Sequence, residues 1–453
     1  MYTGQSRKNK IHLTDYDFES DISRRLFLNQ LNLFEIEVFR EVIFNSLKFP
    51  LSELAQSLET SNDKIRKALE KIEPTNLFQI ENDNILVNKE LRKYFETQIE
   101  RFDSDFTPDI DFFHSLLHHV PIHILPTWFS IPKSSNDIFC SIVDKYLYSP
   151  KLFSKYLLEL NFDDDRIPKI IDLIYQSPNL SMDVSELLEH FPMSRDELEV
   201  IILTLEFHCV CCLNYISEGD NWKQVVEPFS EWRQYQQTIR SSLCSPIENQ
   251  DAVEIFREGD FPFAQDLNSI LIEISESPLS LEKICARFGE QYANQLVNKI
   301  VSLKIGYIKN NQLHETENTV FWKDKPVQEK AMSLYFSTIH FYRKKLNENN
   351  YTDRDIREVE KSLKPIMGKG WILLNDFIFS MIAPLGDCDE VTLCKKGRQW
   401  MYSLPDYSED QIAFITSIVE NHLFESGIVC LGTYGKEKCL CVTPFGQLSL
   451  GDE

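Results

Sequence analysis

A chain of 453 residues is long enough to hold more than one hydrophobic core, and 43% hydrophobic with 26% charged residues is the make-up of a globular protein. No run approaches the roughly 18 apolar residues of a membrane-spanning helix, and the opening MYTGQSRKNKIHLTDYDFES lacks the apolar core of a secretory leader. A formal charge of -23 repels phosphate backbones, so any contact with nucleic acid has to be local; the same charge fits solubility or docking on a basic protein.

The eleven cysteines show no repeated spacing, and Cys209, Cys211, Cys212, Cys439 and Cys441 sit inside apolar runs. Reduced, buried thiols are expected, and with them a cytoplasmic protein.

Residues 1–30 read as a polar arm in which a helix starts near Asp21. Residues 31–108 hold the first module. Phe34 to Leu47 has helical apolar periodicity, and Leu51, Leu54, Ala55 and Leu58 line a short second helix. After the Thr60-Ser61-Asn62 turn, a third helix carries Ile65, Ala68, Leu69 and Ile72. Two apolar runs flanking Asn82-Asp83-Asn84 then make a hairpin. Helix, helix, helix and hairpin in this order spell a winged helix.

Residues 109–166, cut by four prolines, read as a helical spacer. The module recurs over 167–228, where Gly219-Asp220-Asn221 turns the hairpin, and over 263–316, where Asn310-Asn311 does. A linker helix (229–262), anchored by Trp232 and Tyr235, lies between them. One fixed interval separates Pro50 from Leu77, Pro178 from Leu205 and Pro278 from Ile305. The third-helix positions Ile65, Ala68, Leu69 and Ile72 match Ala293, Leu296, Val297 and Ile300. An internal repeat follows. A connecting helix (317–350) with Tyr335, Phe336, His340 and Phe341 on one face leads to a divergent fourth module, 351–453. The expected fold class is mainly α with small β-hairpins (α+β): a tandem array of about four winged helices with helical spacers.

A winged helix that reads DNA lays its third helix in the major groove. In the first module that helix offers Lys64, Arg66, Lys67 and Lys71, the DNA-binding candidates, diluted by Glu70 and Glu73. The second module's SRDELEVIILTLEF is apolar or acidic nearly all round, the pattern of a buried helix. The third is near neutral and the fourth acidic, so DNA contact is expected through the first module only.

Chemistry is sparsely signalled. His114 and His118, one helical turn apart, are weak metal candidates, since no HExxH pattern surrounds them and Pro121 stops the helix before His123. The pairs Cys209/Cys211 and Cys439/Cys441 lack the two-residue spacing of a zinc knuckle. With only 14 glycines and neither GxxxxGK[ST] nor GxSxG, no catalytic constellation and no cofactor site is expected.

The C-terminal GWILLNDFIFSMI, KKGRQWMYSLP, LFESGIVCLG and CVTPFG resemble the winged-helix repeats found beside XPB-type helicases. They are also similar to the tandem winged-helix subunit that holds such a helicase in a promoter-opening transcription factor. The likeness spans about the last 80 residues, the rest by architecture alone, and transfers no functional residue. It implies an accessory role rather than a motor. The expected function is therefore a non-enzymatic scaffold for protein partners of the transcription or DNA-handling machinery, a helicase or transcription component among them, with no membrane association. The alternative is a transcriptional regulator reading DNA with the first module. An enzyme whose site assembles at the His114 cluster is a third reading.

Overall fold

The computed structural model describes residues 17–119, 138–346, 351–387 and 390–451, with backbone alone at 119, 138 and 338–346. The side chains of His340 and Phe341 lie outside the described residues, as does His123. The chain is α+β, mostly helical, with small antiparallel sheets.

In chain order the first elements are α1 (Phe18–Leu28), α2 (Leu33–Phe44), β1 (Lys48–Pro50), α3 (Leu51–Ser57), α4 (Asn62–Ile72), β2 (Phe78–Glu81), β3 (Asn84–Val87) and α5 (Lys89–Ile99). Then come α6 (Ile110–His119), α7 (Ile138–Ile142, continued by a π-helical turn, Val143–Leu147), α8 (Pro150–Glu159), α9 (Arg166–Gln176), β4 (Met182–Asp183), α10 (Val184–His190), α11 (Arg195–Phe207), β5 (Cys212–Glu218), β6 (Asn221–Glu227) and α12 (Ser230–Ser242).

They are followed by β7 (Glu254–Ile255), α13 (Pro262–Glu276), β8 (Leu279–Ser280), α14 (Leu281–Phe288), α15 (Glu290–Ser302), β9 (Gly306–Lys309), β10 (Gln312–Glu315), α16 (Glu317–Asp324) and α17 (Val327–Leu346). The last are α18 (Asp353–Lys361), β11 (Ile372–Leu373), α19 (Leu374–Ser380), β12 (Leu393–Lys396), β13 (Gln399–Tyr402), α20 (Glu409–Ser417, continued by a π-helical turn, Ile418–Leu423), β14 (Val429–Tyr434), β15 (Glu437–Val442) and α21 (Pro444–Gly451).

Among the described residues one order recurs four times: helix, short strand, helix, helix, hairpin, with the β12–β13 hairpin inserted between α19 and α20 in the fourth. The sheets of the repeats are β1-β3-β2, β4-β6-β5, β8-β10-β9 and β11-β15-β14-β7, with β12-β13 a separate two-stranded sheet, so in each repeat the short first strand pairs with the second strand of the hairpin. These first strands are two or three residues long, too short to leave a period in the sequence. The hairpin turns follow their residues. Asn82 and Asp83 have φ of 49° and 62°, and Asn310 and Asn311 of 53° and 59°, the left-handed pair that a tight two-residue turn needs and that Asn and Asp tolerate best after glycine.

Three of the four third helices start on a serine cap, at Ser61, Ser194 and Ser408, while α15 starts at Gly289 with no side-chain cap. The Ser61 side chain accepts from the Lys64 N–H at α4, and Ser194 with Glu197 forms a capping box at α11. The core positions match as read from the sequence: Ile65, Leu69 and Ile72 on α4, and Ala293, Leu296 and Ile300 on α15, are completely buried. Burial of each large aliphatic chain contributes about 1.5–3 kcal/mol. The proline interval does not mark equivalent positions. Pro50 closes β1 next to α3, Pro278 stands just before β8, and Pro178 lies in the loop ahead of β4. The repeat resides in the buried faces of the helices and not in the prolines between them.

The chain divides into two compact units, residues 1–238 with 392–403, and residues 239–391 with 404–453. Each unit holds two of the four repeats around one continuous core. That of the first unit joins Phe39, Leu69 and Phe95 to Ile170, Leu198 and Val226. That of the second joins Leu267, Leu296 and Ile300 to Phe377, Ile415 and Leu440.

Two boundaries read from the sequence shift. Residues 18–28, expected in the polar arm, form α1, which buries Ile22, Arg25 and Leu28. The β12–β13 hairpin, expected within the fourth module, packs in the first unit. Its Leu393 N–H donates to the Tyr148 carbonyl at 2.7 Å, Tyr402 donates to the Leu147 carbonyl at 3.0 Å, and Trp400 Nε1 donates to Asp111 at 3.0 Å.

Candidate functional site

All four basic residues of α4 are exposed, and three of them have partners within the first repeat. The Lys64 ammonium sits 3.9 Å from the centre of the Phe34 ring. Arg66 pairs with Asp83 at the hairpin turn, and Lys71 donates to Glu35 at 2.6 Å and to the Gln30 carbonyl at 3.2 Å. Lys67 alone of the four has neither an ion pair nor a ring partner among the described residues. Both ion pairs lie at the surface and each contributes under about 1 kcal/mol.

The equivalent helix of the second repeat is consumed differently. α11 is buried along Leu198, Glu199, Ile201, Ile202, Leu203, Leu205, Glu206 and Phe207, as its apolar sequence requires. Its two buried acids, Glu199 and Glu206, meet arginines from other elements, and Glu199 also pairs with Arg195 of α11 at 2.7 Å. Arg101, just past α5, donates to both Glu206 oxygens at 2.6 and 2.9 Å and to the Leu213 carbonyl at 2.9 Å. Arg25 from α1 donates to the same two oxygens at 2.8 and 3.1 Å and through Nε to Glu199. The Leu213 N–H adds a fifth bond to Glu206 at 3.0 Å.

All four side chains are at most 2% exposed. Burial drives the Glu206 carboxyl upward, but the Arg101 and Arg25 guanidinium groups override it and hold the group at about 2. A stacked Phe102–Tyr215 pair, centroids 4.0 Å apart, and a bond from the Leu33 N–H to the Asp220 carbonyl complete the seam between the first two repeats. Sequence reading missed Arg25 and Arg101. The only available signal was that Glu199 and Glu206 lie within the apolar stretch of α11, beyond its polar first turn.

His114 and His118 do share a face of α6, with ring centroids 4.4 Å apart. His114 also stacks on Phe139 at 4.2 Å. Among the described residues no group of three or more His, Cys, Asp and Glu side chains is placed to hold a metal ion. The thiols of Cys209, Cys211 and Cys212 are buried, and burial pushes each of them up, away from the thiolate form that metal binding and nucleophilic attack require. No helix among the described residues is long and apolar enough to cross a membrane.

Comparison with known protein families, curated proteins and solved structures finds no match for the chain.

Proposed function

We propose that each of the four repeats is a winged helix, and that the chain is a non-enzymatic scaffold for protein partners of the transcription or DNA-handling machinery. The observation that carries this reading is the fate of α11: the helix that a DNA reader lays in the groove is here the buried strut that ties two repeats together. The partners of Lys64, Arg66 and Lys71 within the first repeat support the same reading, as does the acidity of the chain. The resemblance of the C-terminal landmarks to helicase-associated repeats names an XPB-type helicase as the partner to try first.

Anisotropy of a labelled duplex, titrated at low and physiological salt, tests the reading against a DNA-binding regulator. The scaffold leaves the signal flat at low salt, where phosphate attraction is strongest. Salt-sensitive binding that is lost in Lys64→Glu/Lys67→Glu would overturn it and make α4 a reader. A parallel titration of a purified XPB-type helicase is expected to show binding, and its absence would remove that partner.

A further inference from the structure

The second unit contains a cavity of about 600 Å³ between the first turn of α15 and the β14–β15 hairpin with its added strand β7. That volume is typical of a ligand or anchor-residue pocket. Phe256, Phe288, Tyr292 and Phe424 line it. Phe256 stands edge-on to Tyr292 at 5.2 Å and to Phe424 at 5.8 Å, so ring faces, which carry partial negative charge, turn in several directions.

The charged lining residues are Glu254, Glu290, Glu420 and Lys438. Glu420 and Lys438 neutralise each other in an ion pair. Glu254 and Glu290 are exposed and have no ion pair among the described residues, so the rim is net negative. Glu290 is the first residue of α15, at the helix end where a negative side chain is best placed.

One guanidinium already lies beside these rings, held also by Asp266 at 3.7 Å and by the Phe288 carbonyl at 3.4 Å. Arg257, which does not line the cavity, lies 5.6 Å from the ring centre of Phe256, 5.5 Å from that of Phe288 and 5.0 Å from that of Tyr292. Stacking on rings with carboxylates alongside is how a planar, weakly hydrated cation is bound, and it suits arginine better than lysine.

We propose that this cavity is a docking pocket for an arginine side chain, flanked by apolar residues, on a protein partner. The proposal rests on the scaffold reading and names the chemistry of its partner. Charge complementarity selects the occupant: two unpaired carboxylates at the rim reject an acidic or phosphate-bearing ligand, and the aromatic lining rewards a flat cation over a small hydrated one.

Calorimetric titration of the full chain with the peptide acetyl-Gly-Leu-Arg-Leu-Gly-amide tests it, with Lys and Glu at the central position as comparison probes. The expected order is Arg over Lys, with no binding of the Glu peptide. Glu254→Gln/Glu290→Gln weakens the Arg peptide about fivefold or more. Glu81→Gln/Glu90→Gln, which removes the same charge from the first unit, leaves it unchanged. Absence of binding by the Arg peptide, equal binding of the Glu peptide, or equal loss in both double variants would each overturn the proposal. None of these outcomes touches the duplex and helicase titrations, so failure of the pocket and failure of the scaffold are read separately.

Discussion

Arg101 and Glu206 face each other through two parallel hydrogen bonds of 2.6 and 2.9 Å, with neither side chain more than 2% exposed. They belong to different repeats, separated by 105 positions in the chain. A buried ion pair offsets its desolvation only when every remaining donor and acceptor is satisfied. Here Arg25, the Leu213 N–H and carbonyl, and the Gln98 Oε1 that accepts from Arg101 Nε at 3.1 Å, supply the remaining partners.

Removing one partner leaves the other as an uncompensated buried charge. Arg101→Met is expected to cost about 3–5 kcal/mol, read as a lower urea midpoint for the first unit. Little or no change would mean that Arg25 alone suffices for Glu206.

The same carboxyl sets an acid limit. Its folded value, about 2, lies below the ordinary 4.5, so its stabilisation is fully present above about 4.5 and is lost as pH falls through about 2. Circular dichroism of wild type and Glu206→Gln across this range is expected to show a steep acid transition in the first and a shallower one in the second.

Glu231 has the opposite sign. Desolvation first, with Asp109 nearby, raises its carboxyl to about 7, while it accepts the Ile110 N–H at 3.0 Å at the start of α6. A raised carboxyl favours the neutral form in the fold, so its contribution is intact below about 4.5 and declines as pH rises through 7. Glu231→Gln keeps the acceptor without the charge. It is expected to stabilise the first unit at pH 8 and to leave it unchanged at pH 4, by urea denaturation at the two values.

The attachment of β7 depends on a glycine. A methyl group at Gly432 would stand 2.8 Å from Val253 Cγ1 and 2.9 Å from the Glu254 carbonyl. Gly432→Ala is therefore expected to lift β7 off β14. The Phe256 N–H, bonded to the Leu431 carbonyl at 2.9 Å, would then exchange faster with deuterium, while amides of the first unit keep their wild-type rates.

The β12–β13 hairpin is held in the first unit by a few identifiable contacts. Trp400→Ala with Lys395→Ala removes all three bonds that these side chains donate to Asp111. The turn at Gly397–Arg398 is expected to be cut by trypsin faster than in wild type, because the Leu393 bond to Tyr148 is then loosened.

The sequence by itself determined what is local. The i, i+3, i+4, i+7 spacing of Ile65, Ala68, Leu69 and Ile72 sets the buried face of α4. Ser61 and Ser194 start their helices, and Asn-Asp or Asn-Asn pairs turn two of the hairpins. These features act within a few residues, so a single chain displays them, and the buried character of α11 could be read from its near-absence of a polar face. Tertiary structure alone decided which repeats share a core, which arginines meet Glu199 and Glu206, where the β12–β13 hairpin packs, and that β7 extends a sheet. Contacts across a hundred or more positions leave no local period, and a two-residue strand acquires its conformation only from the edge on which it lies. The charge on α4 was likewise legible as composition, but Phe34, Glu35 and Asp83 are partners that only the folded module brings within reach.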